Sequence, residues 1–537
     1  MKYIAIFILA LCFTTLNAQT SETNFYDVGH ISEIKLTIKQ GNFSSVLDSM
    51  KVYGSGMIVG DATIDGTPLK NVGIRYRGNS SYGFGNKRNP WHIKLNYINK
   101  SQEYQGMSSI KLSNSLRDPS MVREVLGFEI ARKYMVAPRC NYTKLYINNQ
   151  YVGLYVSVES IDKEFIGKNN AARFNTFFKC SPDEDTKSNP GCKNKIYAAL
   201  VYEPDVNCFL PNYTLISESG WDELIELTKT LEIDPSNIGS ILDVDQTLWM
   251  LAYNNLFVNL SSYSGKISQN YYLYKNNLGK FVPVIWDLNL CFGSYKNSGA
   301  IASDLDLEQL QELDPLLHID NTSKPLISKL LSIKEYRLMY LAHIRQMYEE
   351  ILVSGYLESR ATELQTMIRK PLLDDPNKEY SVIDFDKSLK HTIGSRSKIP
   401  GIMELMTKRL KYLRKNDNLK SLPSDVINVE YKRRAQYDNI MIKSFEITAQ
   451  VTNYPKRATI YFRPDAHSDY KTVDMYDDAT HGDSIAGDGK YTGIVDPNGV
   501  FSTMEYYILT ENSGAMGYYP SNYFKKPITI SLEELNK

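Results

Sequence analysis

Residues 251–293 read LAYNNLFVNLSSYSGKISQNYYLYKNNLGKFVPVIWDLNLCFG, and they frame everything else in the chain. From Asp243 to Val258, apolar residues recur at helical spacing: Leu248, Leu251, Ala252 and Leu256. A polar loop runs from Asn259 to Gln269. Asn270-Tyr-Tyr-Leu-Tyr274 alternates like a strand, Asn276 to Gly279 has the composition of a hairpin turn, and Phe281 to Trp286 is a second, strongly apolar strand. That strand ends on Asp287. A carboxylate at the exit of a buried strand is costly unless a partner or a cation meets it. Two readings stay open from these residues: a ligand in a metal-phosphate site, or a capping Asp at a strand-to-loop junction.

Working outward, the sequence has 537 residues, with 61 Lys and Arg balancing 61 Asp and Glu. The length allows two or three domains with substantial cores. Zero net charge offers no basic excess to neutralise a phosphate backbone, so nucleic acid is not an expected partner. Tyrosine outnumbers phenylalanine 39 to 19, the sole support for a glycan-handling role.

Met1 to Ala18 reads as a signal peptide, with Lys2 at its positive end, an apolar core from Ile4 to Phe13, and Leu16-Asn17-Ala18 before the cut. Cys12 as a lipidated cysteine is disfavoured, because Leu11 stands where a small residue is needed. No later run reaches the ~18 apolar residues of a membrane span. The expected product is therefore exported, to the periplasm, cell surface or exterior. Five cysteines follow the leader: Cys140, Cys180, Cys192, Cys208 and Cys291. An odd number leaves at least one unpaired. Cys180–Cys192 and Cys192–Cys208 are competing pairs, and Cys140 and Cys291 read as buried thiols.

Residues 28–175 read as the first lobe of an α/β fold. Strands are expected at Ile34–Ile38, Met57–Ile64 and Val72–Arg77. Arg77-Gly-Asn-Ser-Ser-Tyr-Gly-Phe-Gly85 is a donor-rich loop whose glycines would let backbone amides approach a phosphate, although most such loops only end hairpins. In the strand Trp91–Leu95, His92 and Lys94 share the face opposite Trp91, Ile93 and Leu95. A helix is expected over Ser120–Tyr134, after Asp118-Pro119. Tyr142–Ile147, the Asn148-Asn149 turn and Val152–Val158 form a hairpin.

Residues 180–213 read as a loop-rich insertion, and residues 176–420 as a helical second lobe. Within it His343 is expected to be packed rather than catalytic. A boundary falls near Ser421-Leu-Pro-Ser424. Residues 425–537 turn to β patterning, read as an immunoglobulin-like sandwich. Its turn Asp477–Gly493 carries Asp477, Asp478, Asp483 and Asp488. Spaced acids beside glycines can bind calcium, but the spacing is not that of an EF-hand, and an array of Asx turns is the favoured reading.

NYYLY, a turn and WDLN-xx-FG, with RGNSS at Arg77–Ser81, DPSMVRE at Asp118–Glu124 and the hairpin Tyr146–Asp162, together resemble the CotH family of kinase-like proteins over roughly residues 30–415. The resemblance implies an α+β fold: a two-lobed atypical kinase, β-rich then helical, ahead of the sandwich. It implies ATP with magnesium or manganese as cofactors, and an exported or envelope protein as the partner or Ser/Thr substrate. Lys94 would reach the phosphates, with Lys87 in reserve, and pair with Glu124 or, second, Glu159. Arg77, Gly78, Asn79, Ser80 and Ser81 would cradle phosphate. Asp287, Asn270 and Asn289 would face the metal; Asn289 stands where many relatives carry Asp. Ser261 occupies the position of the catalytic Asp, and a hydroxyl cannot accept a substrate proton near neutral pH as a carboxylate does. Two functions follow: an atypical protein kinase, or an inactive kinase-fold binding protein acting through its sandwich.

Overall fold

A computed structural model describes residues 24–54, 56–182, 190–193, 197–434, 444–496 and 503–531. The expected signal peptide, with Cys12, lies outside the described residues. The chain is α+β, with most strands at its two ends and, between them, helices packed with one four-stranded sheet among the described residues.

Alternating apolar residues close the first strands into a barrel. Its elements are β1 (Ile31–Thr37), α1 (Phe43–Tyr53), β2 (Ile58–Ile64), β3 (Thr67–Tyr76), β4 (Trp91–Lys94), β5 (Ser109–Ser113), α2 (Arg123–Tyr134), β6 (Cys140–Ile147) and β7 (Gln150–Val158). The strand order is β1-β2-β3-β4-β5-β7-β6, closed by parallel pairing of β1 with β6. Ile34, Ile74, Trp91, Ile93, Leu112, Leu145 and Tyr155 fill the interior. The expected hairpin is β6–β7; Asn148 and Asn149 turn it with φ of 48° and 67°, the left-handed pair such a turn demands.

The helical half follows: α3 (Lys163–Lys168), β8 (Phe177–Cys180), β9 (Tyr213–Leu215), α4 (Trp221–Ile233), α5 (Val244–Leu256), β10 (Tyr271–Lys275), β11 (Phe281–Ile285), α6 (Leu307–Gln311), α7 (Pro325–Ser332), α8 (Lys334–Met347), α9 (Tyr356–Leu373), α10 (Val382–Lys387) and α11 (Ile402–Lys415). Every residue of α5 from Gln246 to Leu256 is buried, so this helix is enclosed on all sides and forms the axis of the half. The Asp243 side chain caps it, accepting from Gln246 N at 3.0 Å. The β10–β11 hairpin pairs with β8 and β9, which flank the expected insertion. Within that insertion Cys192 bonds Cys208; Cys140, Cys180 and Cys291 are buried thiols.

The last strands are β12 (Val426–Arg434), β13 (Ser444–Val451), β14 (Arg457–Arg463), β15 (Lys471–Met475), β16 (Lys490–Val495), β17 (Thr503–Glu511), β18 (Met516–Tyr519) and β19 (Ile528–Ser531). They make one sheet of β12, β13 and β16 and one of β14, β15, β17, β18 and β19, with Phe445, Ile447, Ile460, Phe462, Tyr506 and Ile508 in a shared core. The second sheet docks on the helical half. Trp249 Nε1 donates to Tyr523 Oη at 3.0 Å, and Tyr523 donates to Asp245. His343 is fully buried, stacked 3.7 Å from the Trp249 ring, with Nε2 3.0 Å from Asp245. It is a packing residue, as its helical position predicts. Among the described residues, no helix is long and apolar enough to cross a membrane.

Candidate functional site

The barrel's outer face carries the cations. The pleat that sends Ile74, Tyr76, Trp91, Ile93, Ile110 and Leu112 inward turns Arg75, Arg77, His92, Lys94 and Lys111 outward. Register places His92 beside both Arg75 and Lys111. Arg75 Nε donates to His92 Nδ1 at 3.2 Å. Burial, and then the neighbouring cations Lys111 and Arg75, push His92 down to about 3, so its ring is neutral. Burial, and then the charge of Arg77, push Lys111 down to about 7. Lys111 Nζ lies 5.0 Å from the centre of the Trp286 ring, and the Arg77 guanidinium lies 5.9 Å from the same ring. Among the described residues the Lys111 ammonium has no ion pair and no hydrogen bond. Beside this face a cavity of about 250 Å³ is lined by Lys51, Gly54, Gly56, Arg75, Arg77 and Gly78.

Opposite stand the acids. Asp287 follows Trp286 with φ 59° and ψ 63°, left-handed backbone that a non-glycine residue holds at a cost of roughly 1–3 kcal/mol. Burial raises its pKa, while Arg77 and Lys179 pull it back. Glu124, in the first turn of α2, is 3 % exposed. Burial raises its pKa, and the charge of Asp287 raises it further. Glu124 Oε2 and Asn289 Oδ1 are buried without a hydrogen-bond partner. Asp162, capping α3 through Phe165 N at 3.0 Å, completes the wall near Lys111; burial raises it to about 6.

The loop between α5 and β10 is held from outside. Val258 and Asn270 sit at φ 48° and 58° at its two ends. Arg409, fully buried, donates to Leu256 O at 2.8 Å and Asn255 O at 2.9 Å, closing the end of α5. Lys324 Nζ donates to Tyr263 O at 2.9 Å, to Gly265 O and to Ser268 Oγ at 2.8 Å. Burial pushes this lysine down to about 7. Arg123 Nη1 donates to Cys291 O and Phe292 O at 3.3 and 3.1 Å, fixing the chain beyond Asp287. Three buried cations thus organise backbone carbonyls around Ser261 and Asp287.

The residues expected from sequence fall into two groups. Arg77, Glu124, Asp287, Asn270, Asn289 and Ser261 belong to this region. Ser261 is 3 % exposed, and the Asn270 side-chain amide donates to its carbonyl and hydroxyl oxygens. Gly78 has φ 82°, and Asn79 and Ser80 are exposed, so the loop tip is open to a ligand. Its base is pinned by Asn114, which donates to Ser81 O at 2.9 Å. The expected Lys94–Glu124 ion pair is not formed. Lys94 ends β4 opposite Ser109, while Lys111 occupies the place beside Trp286. Glu159 is taken by Arg139 at 2.7 Å, and Lys87 is exposed. Sequence reasoning missed Lys111, Arg75 and Lys324. The alternation in Ser109-Ile-Lys-Leu-Ser113 was the available signal for Lys111.

A family model described as CotH kinase protein matches residues 74–413. The chain belongs to the CotH kinase family. It is also 23 % identical over 322 residues to inner spore coat protein H of Bacillus subtilis (strain 168), covering 59 % of this chain and 82 % of that protein. The CotH match takes in Arg77, the Lys111 strand, Glu124, the α5 loop and Asp287, and stops before the last two sheets. In those sheets, oxygens of Asp477, Asp483 and Asp488 lie within 4.8 Å of one another. Backbone amides already occupy them: Gly487 N and Gly489 N donate to Asp477 at 2.7 and 2.9 Å, Ala479 N to Asp483 at 2.7 Å, and Lys490 N to Asp488 at 2.9 Å. Asp478 likewise accepts from Thr480 N at 2.8 Å.

Proposed function

We propose that this CotH-family chain is a kinase-fold protein that binds a nucleoside triphosphate, ATP foremost, with magnesium or manganese, between the cationic barrel face and Asp287. The barrel and the helical half would be its two lobes, and the last two sheets an immunoglobulin-like accessory sandwich. The observation that carries the reading is Lys111: a desolvated ammonium with no ion-pair partner among the described residues, over the ring of Trp286, the residue before Asp287. Such a group is costly unless an anion completes it. Arg77, Lys111 and the open amides of the 78–80 loop would hold phosphate oxygens. A divalent ion, when bound, would neutralise charge on the transferring phosphoryl group. Asp287 and the side-chain oxygens of Asn270 and Asn289 fit a hard cation, and the partnerless Asn289 Oδ1 supports that assignment.

Phosphoryl transfer to a Ser or Thr of an exported partner is the activity the family name suggests. Ser261 argues for the second reading, a binding protein or scaffold of the cell envelope, because nothing at that position can take the substrate proton. Thermal unfolding with and without ATP and Mg²⁺ tests the common core of both readings. At ~100 times the dissociation constant, stabilisation of about 2.7 kcal/mol is expected, and Asp287→Ala should remove it. An Asp287→Ala protein that binds as the parent does would make Asp287 merely structural.

A further inference from the structure

We infer that Glu124 and Asp287 hold the divalent cation together, so that Glu124 is a metal ligand and not the ion-pair partner of a strand lysine. The inference rests on the nucleotide-metal reading above and changes which residues carry it.

The first ground is that, among the described residues, no cation stands within ion-pair distance of Glu124, Arg77 acting on it only from further off. Glu124 is buried, Lys94 does not pair with it, and its Oε2 has no hydrogen-bond partner. A buried carboxylate with a free oxygen is one of the most expensive groups a fold can keep. Its neighbour is a second acid: α2 packs on the segment that follows Asp287, and the Asp287 charge opposes that of Glu124. Neighbouring carboxylates are tolerated when they share a proton or when an ion bridges them.

The second ground is how α2 reaches this position. Gly127, one turn beyond Glu124, lies against the segment after Asp287. A Cβ there would stand 3.2 Å from Leu288 Cδ1 and 3.3 Å from Cys291 Sγ. The missing side chain lets α2 lie directly on residues 288–291. Tyr253 fixes the same contact, its hydroxyl donating to Gly127 O at 2.9 Å. Glu124 is thereby delivered to Asp287 by rigid elements.

The third ground is charge. Asp287 with the neutral Asn289 gives a single negative charge to a divalent ion. Glu124 supplies the second, and the Asn289 oxygen adds a neutral hard donor. All-oxygen donors of this kind suit Mg²⁺ or Mn²⁺. Arg77 and Lys111 are then left to phosphate.

The test is a Mn²⁺ titration of the purified protein without nucleotide, following the free-ion signal by electron paramagnetic resonance. An Asp483→Asn background removes a carboxylate from the acidic turn of the last two sheets. Glu124→Gln and Asp287→Asn should each weaken the site roughly tenfold or more. Metal-free Glu124→Gln should melt at or above its background, because it removes a carboxyl whose ionisation is costly there. If Asp287→Asn loses the ion and Glu124→Gln keeps it, Glu124 is no ligand and the metal reading survives without it. If both keep it, or if the background protein takes up no Mn²⁺, the metal reading itself falls and this inference with it. A Glu124→Gln protein that is unfolded, or far less stable without metal, would show a structural role and overturn the assignment.

Discussion

The side-chain amide of Asn270 donates to both oxygens of Ser261, to the carbonyl at 2.9 Å and to the hydroxyl at 3.2 Å. The position of the expected base is therefore built to satisfy an oxygen, and it holds one that cannot act as a base. Ser261→Asp would place a carboxylate beside an existing donor. General-base catalysis contributes about 10²–10⁴-fold, so phosphotransfer should rise by a factor in that range from a low or absent starting level. Autophosphorylation with labelled ATP reads it, and Ser261→Asp/Asp287→Ala controls for a contaminating kinase. A parent as active as Ser261→Asp would mean that another group supplies the base.

Lys111→Met should exchange function for stability. Below pH ~7 the parent carries a charged, desolvated ammonium in the folded state, and the penalty is present in full. Between about 7 and the ordinary lysine value of 10.5, the unfolded chain binds a proton that the folded chain does not, so stability rises with pH. The methionine variant lacks that rise. It should be the more stable protein at pH 6.5, by roughly 1–4 kcal/mol, with the gap closing toward pH 9. It should also lose stabilisation by ATP. Denaturant unfolding at several pH values measures both. A variant less stable than the parent at pH 6.5 would mean that the ammonium has an internal partner.

A buried ion pair clamps the barrel to the helical half. Arg88 Nη1 donates to Asp375 Oδ2 at 2.5 Å, with the two side chains 3 % and 0 % exposed. Leu154 N donates to the same Asp375 oxygen at 3.0 Å, and a Cβ on Gly153 would lie 2.7 Å from it. Asp375→Ala should cost about 3–5 kcal/mol, because it strands Arg88. Arg88→Met/Asp375→Leu should cost clearly less than Asp375→Ala alone, as measured by urea unfolding. Equal losses would show that the pair is not coupled.

The acidic turn should be structural. Its carboxylates already accept backbone amides: Asp478 and Asp488 two residues on, as in Asx turns, and Asp477 and Asp483 across the loop. A chelator should leave the unfolding of the last two sheets unchanged. A fall of several degrees on chelation would show that Asp477, Asp483 and Asp488 hold an ion.

Local pattern made much of the fold legible. The hairpin around Asn148-Asn149, the alternation of Trp91–Leu95, the helix ending before Val258 and the β-rich end are each written in a few adjacent residues. Side-chain period and turn chemistry act over that range. The order of four motifs carried the family, since the CotH match spans residues 74–413.

Tertiary structure decided what depends on residues distant in sequence. Parallel pairing of β1 with β6 closes the barrel across more than a hundred residues, and no local signal encodes it. Cys192 could meet Cys180 or Cys208, and the fold selected Cys208. Lys94 and Lys111 both lie on alternating strands, but only sheet register sets Lys111 beside Trp286. Lys324 looks like an ordinary surface lysine until α7 carries it under the Ser261 loop. Glu124 shows the limit most clearly. Its place on a helix could be read from the sequence. Its neighbour could not, because electrostatic cost is set by what surrounds a charge, and those surroundings come from segments far along the chain.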